Sequence, residues 1–514
     1  MRFFSKTLLV LITSFAGLLL LHLPVLRLPY FWDEAGYYIP AALDFYHSWL
    51  LIPASTLHTG HTPLVMIYLA LVWRLFGYSA FSTRTAMTLI AAAAITALYA
   101  LARRVATREI ALWSALLLAL SPIFFAQSTL AHLDLTAALF TTLAILFLLG
   151  EERWLFALSA SLAFLSKETA VVLLPAVWLC EWRWKRTAKG RRALLATWGP
   201  LVVPLVPLAG WALYYHHVTG YWTGNREYLT YNLYSTLNPA RVFLTLMRRA
   251  YELFVGGFNW LLTEGAAVGI WWGQKYENRK SKFEARNSPP CSNFEFRFSR
   301  LAWLTVGLVT IYLLMLSVVG GAVLPRYLLP VFPLFYLAGV GMVTRLPRYL
   351  ARLILAAIAG CLVWAWFINP PYPFPFEDNL SYADFIRLHE QAAQYLEALP
   401  GRTRILTAWP ATDELAKPEL GYVQRPLRIV TVQGFALREL TSVPPESFDL
   451  LYFYSRQWEP PGNWLARVPT WLQWQRRYFD YQPQTAAEVL AARYHLRLRL
   501  GIEQRGQWVR IYSR

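Results

Sequence analysis

Over the first 368 positions, polar residues are so sparse that hydrophobicity comes in blocks rather than in the short alternation of a soluble domain. Blocks close to the roughly 20 residues that cross a bilayer occupy 7–26, 84–102, 109–127, 135–149, 154–166, 169–181, 194–215, 251–273, 301–319, 327–343 and 350–368. They predict an integral membrane, all-α bundle of about eleven transmembrane helices. The first block follows the basic Arg2 and Lys6, but His22-Leu23-Pro24-Val25-Leu26 has no small-x-small cleavage site and more spans follow, so it reads as a span and not a signal peptide. The blocks at 154–166 and 169–181 are short and flank Lys167-Glu168, as a broken pair would. Residues 63–78 are short and carry Arg74, and residues 37–50 are rich in aromatics; both suit the membrane interface.

After residue 368 the pattern changes. A proline-rich, semi-rigid linker, Asn369 to Pro375, leads to a helical 381–398 closed by Pro400-Gly401. Strand-like 404–408, helical 411–420 and strands at 427–432 and 449–454 follow. A hairpin of 495–502 and 507–512 turns around Arg505-Gly506. The division is therefore a membrane domain, 1–368, and an α/β domain, 369–514. No phosphate-cradling glycine loop or internal repeat is present.

Composition sharpens this picture. Of 514 residues 56% are hydrophobic and 15% charged, against roughly 25% charged in soluble proteins, which excludes a disordered chain and argues against a soluble enzyme. The net charge of +18 suggests nucleic acid until it is located: residues 369–514 hold 17 Lys+Arg against 15 Asp+Glu, so the excess lies in the membrane part. It falls in runs between blocks: Arg103, Arg104 and Arg108; Arg183 to Arg192; Lys275 to Arg286; Arg345, Arg348 and Arg352. Those are positive-inside loops, and no nucleic-acid partner is expected. They place the amino terminus in the cytoplasm, residues 27–83 in a large first outer loop, and the α/β domain outside a plasma (inner) membrane. Cys180, Cys291 and Cys361 are too scattered for a disulfide framework or a zinc site.

Acidic residues are rare in the membrane part, so each needs a reason. Asp33-Glu34 stands among aromatics just beyond the first span. A carboxylate there can act as a general base toward a hydroxyl, or can cap the helix that follows. Asp134 stands where one span ends and the next begins, as a functional acid or an N-cap. Lys167-Glu168 lines a cavity at its break or forms an internal ion pair with Asp134. Arg84 and Arg326, at apolar boundaries, could meet a bound phosphate or snorkel to lipid phosphates. His58 and His61 invite a metal reading that nothing else in the sequence supports.

Taken in order, Asp33-Glu34-Ala35 with Tyr37, the His61-Thr62-Pro63-Leu64 element, Asp134 after the third span, Ser166-Lys167 in a broken pair and Pro325-Arg326-Tyr327 before a long apolar run resemble the GT-C superfamily of glycosyltransferases. The likeness covers the membrane part and is strongest to the branch of protein O-mannosyltransferases and lipid A aminoarabinose transferases, whose outer domain the tail also resembles. The resemblance implies Asp33 as base, Glu34 and Asp134 as supporting acids, and Lys167, Arg84, Arg326, Tyr327 and His61 near the phosphate of a polyprenyl-phosphate-linked sugar donor. It implies inversion, an acceptor glycan, lipid or protein, and no organic cofactor; metal dependence stays open. The absence of a Trp-Trp-Asp element after Trp271-Trp272-Gly273 argues against an oligosaccharyltransferase. Rival readings are a transporter or flippase of a lipid-linked saccharide, which calls for acids in mid-span, and a non-catalytic scaffold, which leaves Asp33-Glu34 without a role.

Overall fold

A bilayer offers the backbone no hydrogen-bond partners, so apolar blocks close their bonds internally as helices. The computed structural model describes residues 2–184, 198–284, 293–460, 467–479, 481 and 484–514. Residues 185–192 and 194–197, Arg286 and Cys291 lie outside it. Among the described residues four helices are long and apolar enough to cross a membrane: Ala80–Val105, Trp198–Thr219, Arg300–Val318 and Pro325–Val343. A bent pair, Pro239–Phe254 and Gly256–Lys275, would make a fifth. Lys6–His22, Leu64–Phe76, Leu133–Leu149 and Arg153–Ser166 are shorter apolar helices.

Several blocks are interrupted where the sequence removes a donor or permits a positive φ. The 109–127 block divides into Arg108–Leu120 and Pro122–Gln127, since Pro122 has no N–H with which to continue the ladder. Lys167 is extended, between Arg153–Ser166 and a 3-10 turn over Glu168–Val172, so the expected break is present. The block at 251–273 is not one straight span: Gly257, at φ 58°, turns the chain, and the two helices meet at 42°. The partner before the bend, Pro239–Phe254, carries Arg241, Arg248, Arg249 and Glu252, which hid it from a search for apolar runs.

Ion pairs sort the connecting segments into two ends. At one end, His61 meets Glu168 at 3.0 Å, Lys167 meets Asp134 at 2.6 Å, and Arg326 meets Asp33. At the other, Arg104 meets Glu152 at 2.9 Å, Arg352 meets Glu109 at 2.6 Å, and Arg300 meets Glu151 at 2.6 Å.

The tail builds a five-stranded sheet from β1 (Arg404–Ala408), β2 (Arg428–Val432), β3 (Leu450–Tyr454), β4 (Arg497–Gln504) and β5 (Gln507–Ser513), in the order β2-β1-β3-β5-β4. The first three are parallel and the β4–β5 hairpin adds antiparallel to β3. β3 is buried along its whole length, as its run Leu450-Leu451-Tyr452-Phe453-Tyr454 requires. This sheet shares its core with the 27–83 loop: Tyr30, Phe31, Ala35 and Ile39 belong to one buried cluster with Phe385, Leu420 and Tyr452. Tyr422 Oη donates to the Tyr30 carbonyl at 3.0 Å, and Lys417 Nζ to the Ser55 carbonyl at 3.3 Å. The helix Ile39–Ser48 therefore buries its apolar face in protein, and of the interfacial stretch expected at 37–50 only its end, His47 to Leu50, is exposed.

Candidate active site

The acidic motif starts at a backbone bend. Trp32 has φ 44°, and a π-helical turn over Glu34–Tyr38 follows. Asp33 stands at the N-cap position but its side chain caps nothing. Instead it pairs with Arg326. Its side chain is 16% exposed, against 1% for Arg326, 2% for Asp134 and 4% for Glu377. Of these three carboxylates Asp33 is the one open to an incoming molecule.

Arg326 is held in a 3-10 turn, Pro325–Val331, and serves three acids at once. Nη2 faces Asp33, Nη1 lies 2.5 Å from Glu377 Oε2, and Nε lies 3.5 Å from Asp134 Oδ2. His132 donates from Nδ1 to Gln127 Oε1 at 2.7 Å, leaving Nε2 to accept from Arg326 Nη1 at 3.1 Å. Burial, with Arg326 and Lys167 nearby, keeps that imidazole neutral by pushing its pKa well down. Lys167 Nζ donates to Asp134 Oδ1 at 2.6 Å and lies 3.9 Å from the centre of the Tyr327 ring. Asp134 follows the N-cap His132 and pairs rather than caps. Two cations and three carboxylates thus share one largely buried space, opening at Asp33.

Glu34 and Arg84 sit elsewhere. Glu34 accepts the Phe31 N–H at 2.8 Å and the Ala131 N–H at 2.6 Å. Burial pushes its carboxyl up, against the opposing pull of Arg84, 3.4 Å away. Arg84 donates to the carbonyls of Leu28, Thr129 and Pro29 at 3.2, 3.1 and 2.5 Å and is fully buried. Arg84 holds the loop, with its donors on three backbone oxygens and on the Glu34 carboxylate. His58 and His61 are engaged separately. His58 Nδ1 bonds Tyr215 Oη at 2.7 Å, while His61 binds Glu168 through Nδ1 and Tyr228 Oη through Nε2 at 3.3 Å. Among the described residues no three metal-ligating side chains converge.

Glu377, Arg249 and the role of His132 were not foreseen. Arg249 is buried, donates to the Leu324 carbonyl at 2.6 Å, and sits 5.4 Å from the Tyr327 ring centre. Burial pushes the Glu377 carboxyl from its ordinary 4.5 up to about 7 despite Arg326. The folded chain therefore keeps a proton there that the unfolded chain loses. Its stabilising contribution is complete below about pH 4.5 and disappears as pH rises through about 7. Glu377→Gln cannot titrate, so its Tm relative to wild type should climb as pH is raised from about 4.5 to about 7 and level off above that. A constant Tm difference in paired melts would contradict this.

Residues 60–214 match the family model described as dolichyl-phosphate-mannose-protein mannosyltransferase. No curated protein matches the chain. Among solved structures, ArnT from Cupriavidus metallidurans, apo and bound to undecaprenyl phosphate, is similar with a TM-score of 0.53 and 16% identity over 99% of this chain and 97% of that one. The archaeal oligosaccharyltransferase AglB from Archaeoglobus fulgidus, in complex with an inhibitory peptide and a dolichol-phosphate, gives 0.44 and 13% over 87% of this chain and 69% of that one. The family match, the apolar helices and the fold agree: this is a multi-pass membrane protein with the GT-C glycosyltransferase fold.

Proposed function

We propose that the chain is an inverting glycosyltransferase that moves a sugar from a polyprenyl monophosphate to an acceptor hydroxyl at the outer face of the membrane. The observation that carries this reading is the pairing of the partly exposed acid Asp33 with the buried Arg326, beside the Lys167–Asp134 pair. A donor phosphate competes with the carboxylates for both cations. When it takes Arg326, Asp33 is released to act as base. The acceptor oxygen then bonds to the anomeric carbon, its proton passes to Asp33, and the bond to the phosphate oxygen breaks with its electrons. Lys167 and Arg326 stabilise the charge gathering on the phosphate, so no protonating acid is needed. Tyr327 shapes the cation bank, His61 orients Glu168 beside it, and Glu34 with Arg84 positions the base. ArnT, the similar fold, is a protein solved with undecaprenyl phosphate bound, which supports a lipid donor here.

Eleven crossings are supported by the alternation of ends along the chain, and an outer location for residues 27–83 and 369–514 by their shared core and by Arg104, Arg300 and Arg352 at the opposite end. A transporter is less well supported, because the acids of the candidate site, Asp33, Asp134 and Glu377, gather at one end and not in mid-span. A reporter fused after residue 368 is expected to be active outside the cell, and one placed near Lys189 inside. An inward tail would remove the basis for an outer-face site.

The decisive assay uses purified protein with polyprenyl monophosphate sugars and, separately, nucleotide sugars. Transfer is expected only from the lipid donors, with the anomeric configuration inverted in the product. Transfer from a nucleotide sugar without lipid, or retention, would reject the mechanism.

A further inference from the structure

Asp33 has a second set of neighbours that the donor chemistry leaves unused. Trp32 precedes it, Tyr37 lies one turn on, and Trp409 comes from the end of β1. The Trp409 ring meets Trp32 edge-on at 5.4 Å and lies 5.5 Å from Tyr37. Gly36 makes this approach possible, since a Cβ there would fall 2.5 Å from Trp409 Nε1. All three rings are half-buried, whereas Phe31, Tyr38 and Phe385 beside them are buried. The guanidinium of Arg456 lies 5.7 Å from the centre of the Trp32 ring. Tyr231 is exposed, and its phenol feels both Asp33 and Arg456; Tyr37 feels Asp33, Asp413 and Glu227. The positive φ of Trp32 is a strained conformation for a bulky residue, of the kind held in place at functional sites.

We propose that Trp32, Tyr37 and Trp409 form the acceptor platform and that the acceptor is a saccharide. This rests on the glycosyltransferase reading, because a base must touch the hydroxyl it deprotonates. The C–H face of a pyranose is apolar and carries slight positive charge, which suits the negative face of an aromatic ring. Its hydroxyls call for a polar rim, which Arg456 provides beside Asp33. A peptide acceptor is commonly held on an open strand edge, but β1, the strand leading into Trp409, is paired on both sides by β2 and β3.

The test is saturation-transfer NMR on the full chain in lipid nanodiscs, using methyl β-cellobioside and a threonine-containing hexapeptide as probes. Undecaprenyl phosphate binding is measured on the same preparations. The disaccharide ring protons should receive saturation and the peptide should not. Trp409→Ala should weaken disaccharide binding about tenfold, Trp409→Phe should keep most of it, and neither should change undecaprenyl phosphate binding. If Trp409→Ala fails to fold, Arg456→Gln carries the test through a several-fold loss. Binding of the peptide but not the sugar, no sugar binding by wild type, or unchanged sugar binding in a folded Trp409→Ala or Arg456→Gln would overturn the proposal. Sugar binding without undecaprenyl phosphate binding would sink the donor assignment and leave the platform standing.

Discussion

Asp33→Asn is expected to lower turnover by roughly 10²- to 10⁴-fold, the range attributed to a general base. Asparagine is nearly isosteric and its Oδ1 can still accept from Arg326, so the loop has little reason to rearrange. What it loses is the ability to take the acceptor's proton. Donor binding should be preserved or improved, because Arg326 no longer faces a full negative charge. Turnover, Tm and undecaprenyl phosphate affinity measured together separate the outcomes. A folded Asp33→Asn with wild-type turnover removes Asp33 as base, and loss of activity in step with loss of Tm makes its role structural.

Arg326→Ala should be the most damaging single change to the site's architecture. It strands Asp33, Asp134 and Glu377 in a buried space with Lys167 as their remaining close cation. Removing one partner from a buried ion pair costs about 3–5 kcal/mol, a large share of the stability of most proteins. Arg326→Lys keeps the charge but not the planar fork that reaches several acids together, so it should fold better and bind donor phosphate poorly. Combining Arg326→Ala with Asp33→Asn removes one of the stranded charges and should recover part of the Tm without restoring undecaprenyl phosphate binding. A stable, donor-binding Arg326→Ala would dissolve the cation bank as described.

Much of this was legible in the chain because the decisive signals were local. Asp33-Glu34 stood out against an apolar background. The shortness of the blocks around Lys167 announced a break, and the short apolar runs within 404–408 and 449–454 located β1 and β3 closely. Glu377 was not legible, because what defines it is Arg326, 51 positions away in sequence. Its one local hint is that Glu377-Asp378 repeats the arrangement of Asp33-Glu34, an acid pair just past an apolar block. The partners of Arg84 were not legible for a related reason: an arginine at a span boundary has the same sequence context whether it faces a phosphate or, as here, three carbonyls and Glu34. The bend at Gly256-Gly257 was hidden because a hydropathy window averages across the residue that turns the chain.

The core shared between residues 27–83 and the tail has a consequence for how the protein is made. The loop carrying Asp33 leaves the ribosome ahead of the aromatic and aliphatic residues that cover it, from Phe385 to Tyr452, which follow some 350 to 420 positions later. At roughly 5–20 residues per second, the loop waits some tens of seconds with its apolar side uncovered. Arg326 arrives within the same interval, 293 residues after Asp33. Synthesis therefore acts as a timer: Asp33, Arg326 and their aromatic cover come together only once the tail has been made, and a chain stopped before the tail holds an unassembled site.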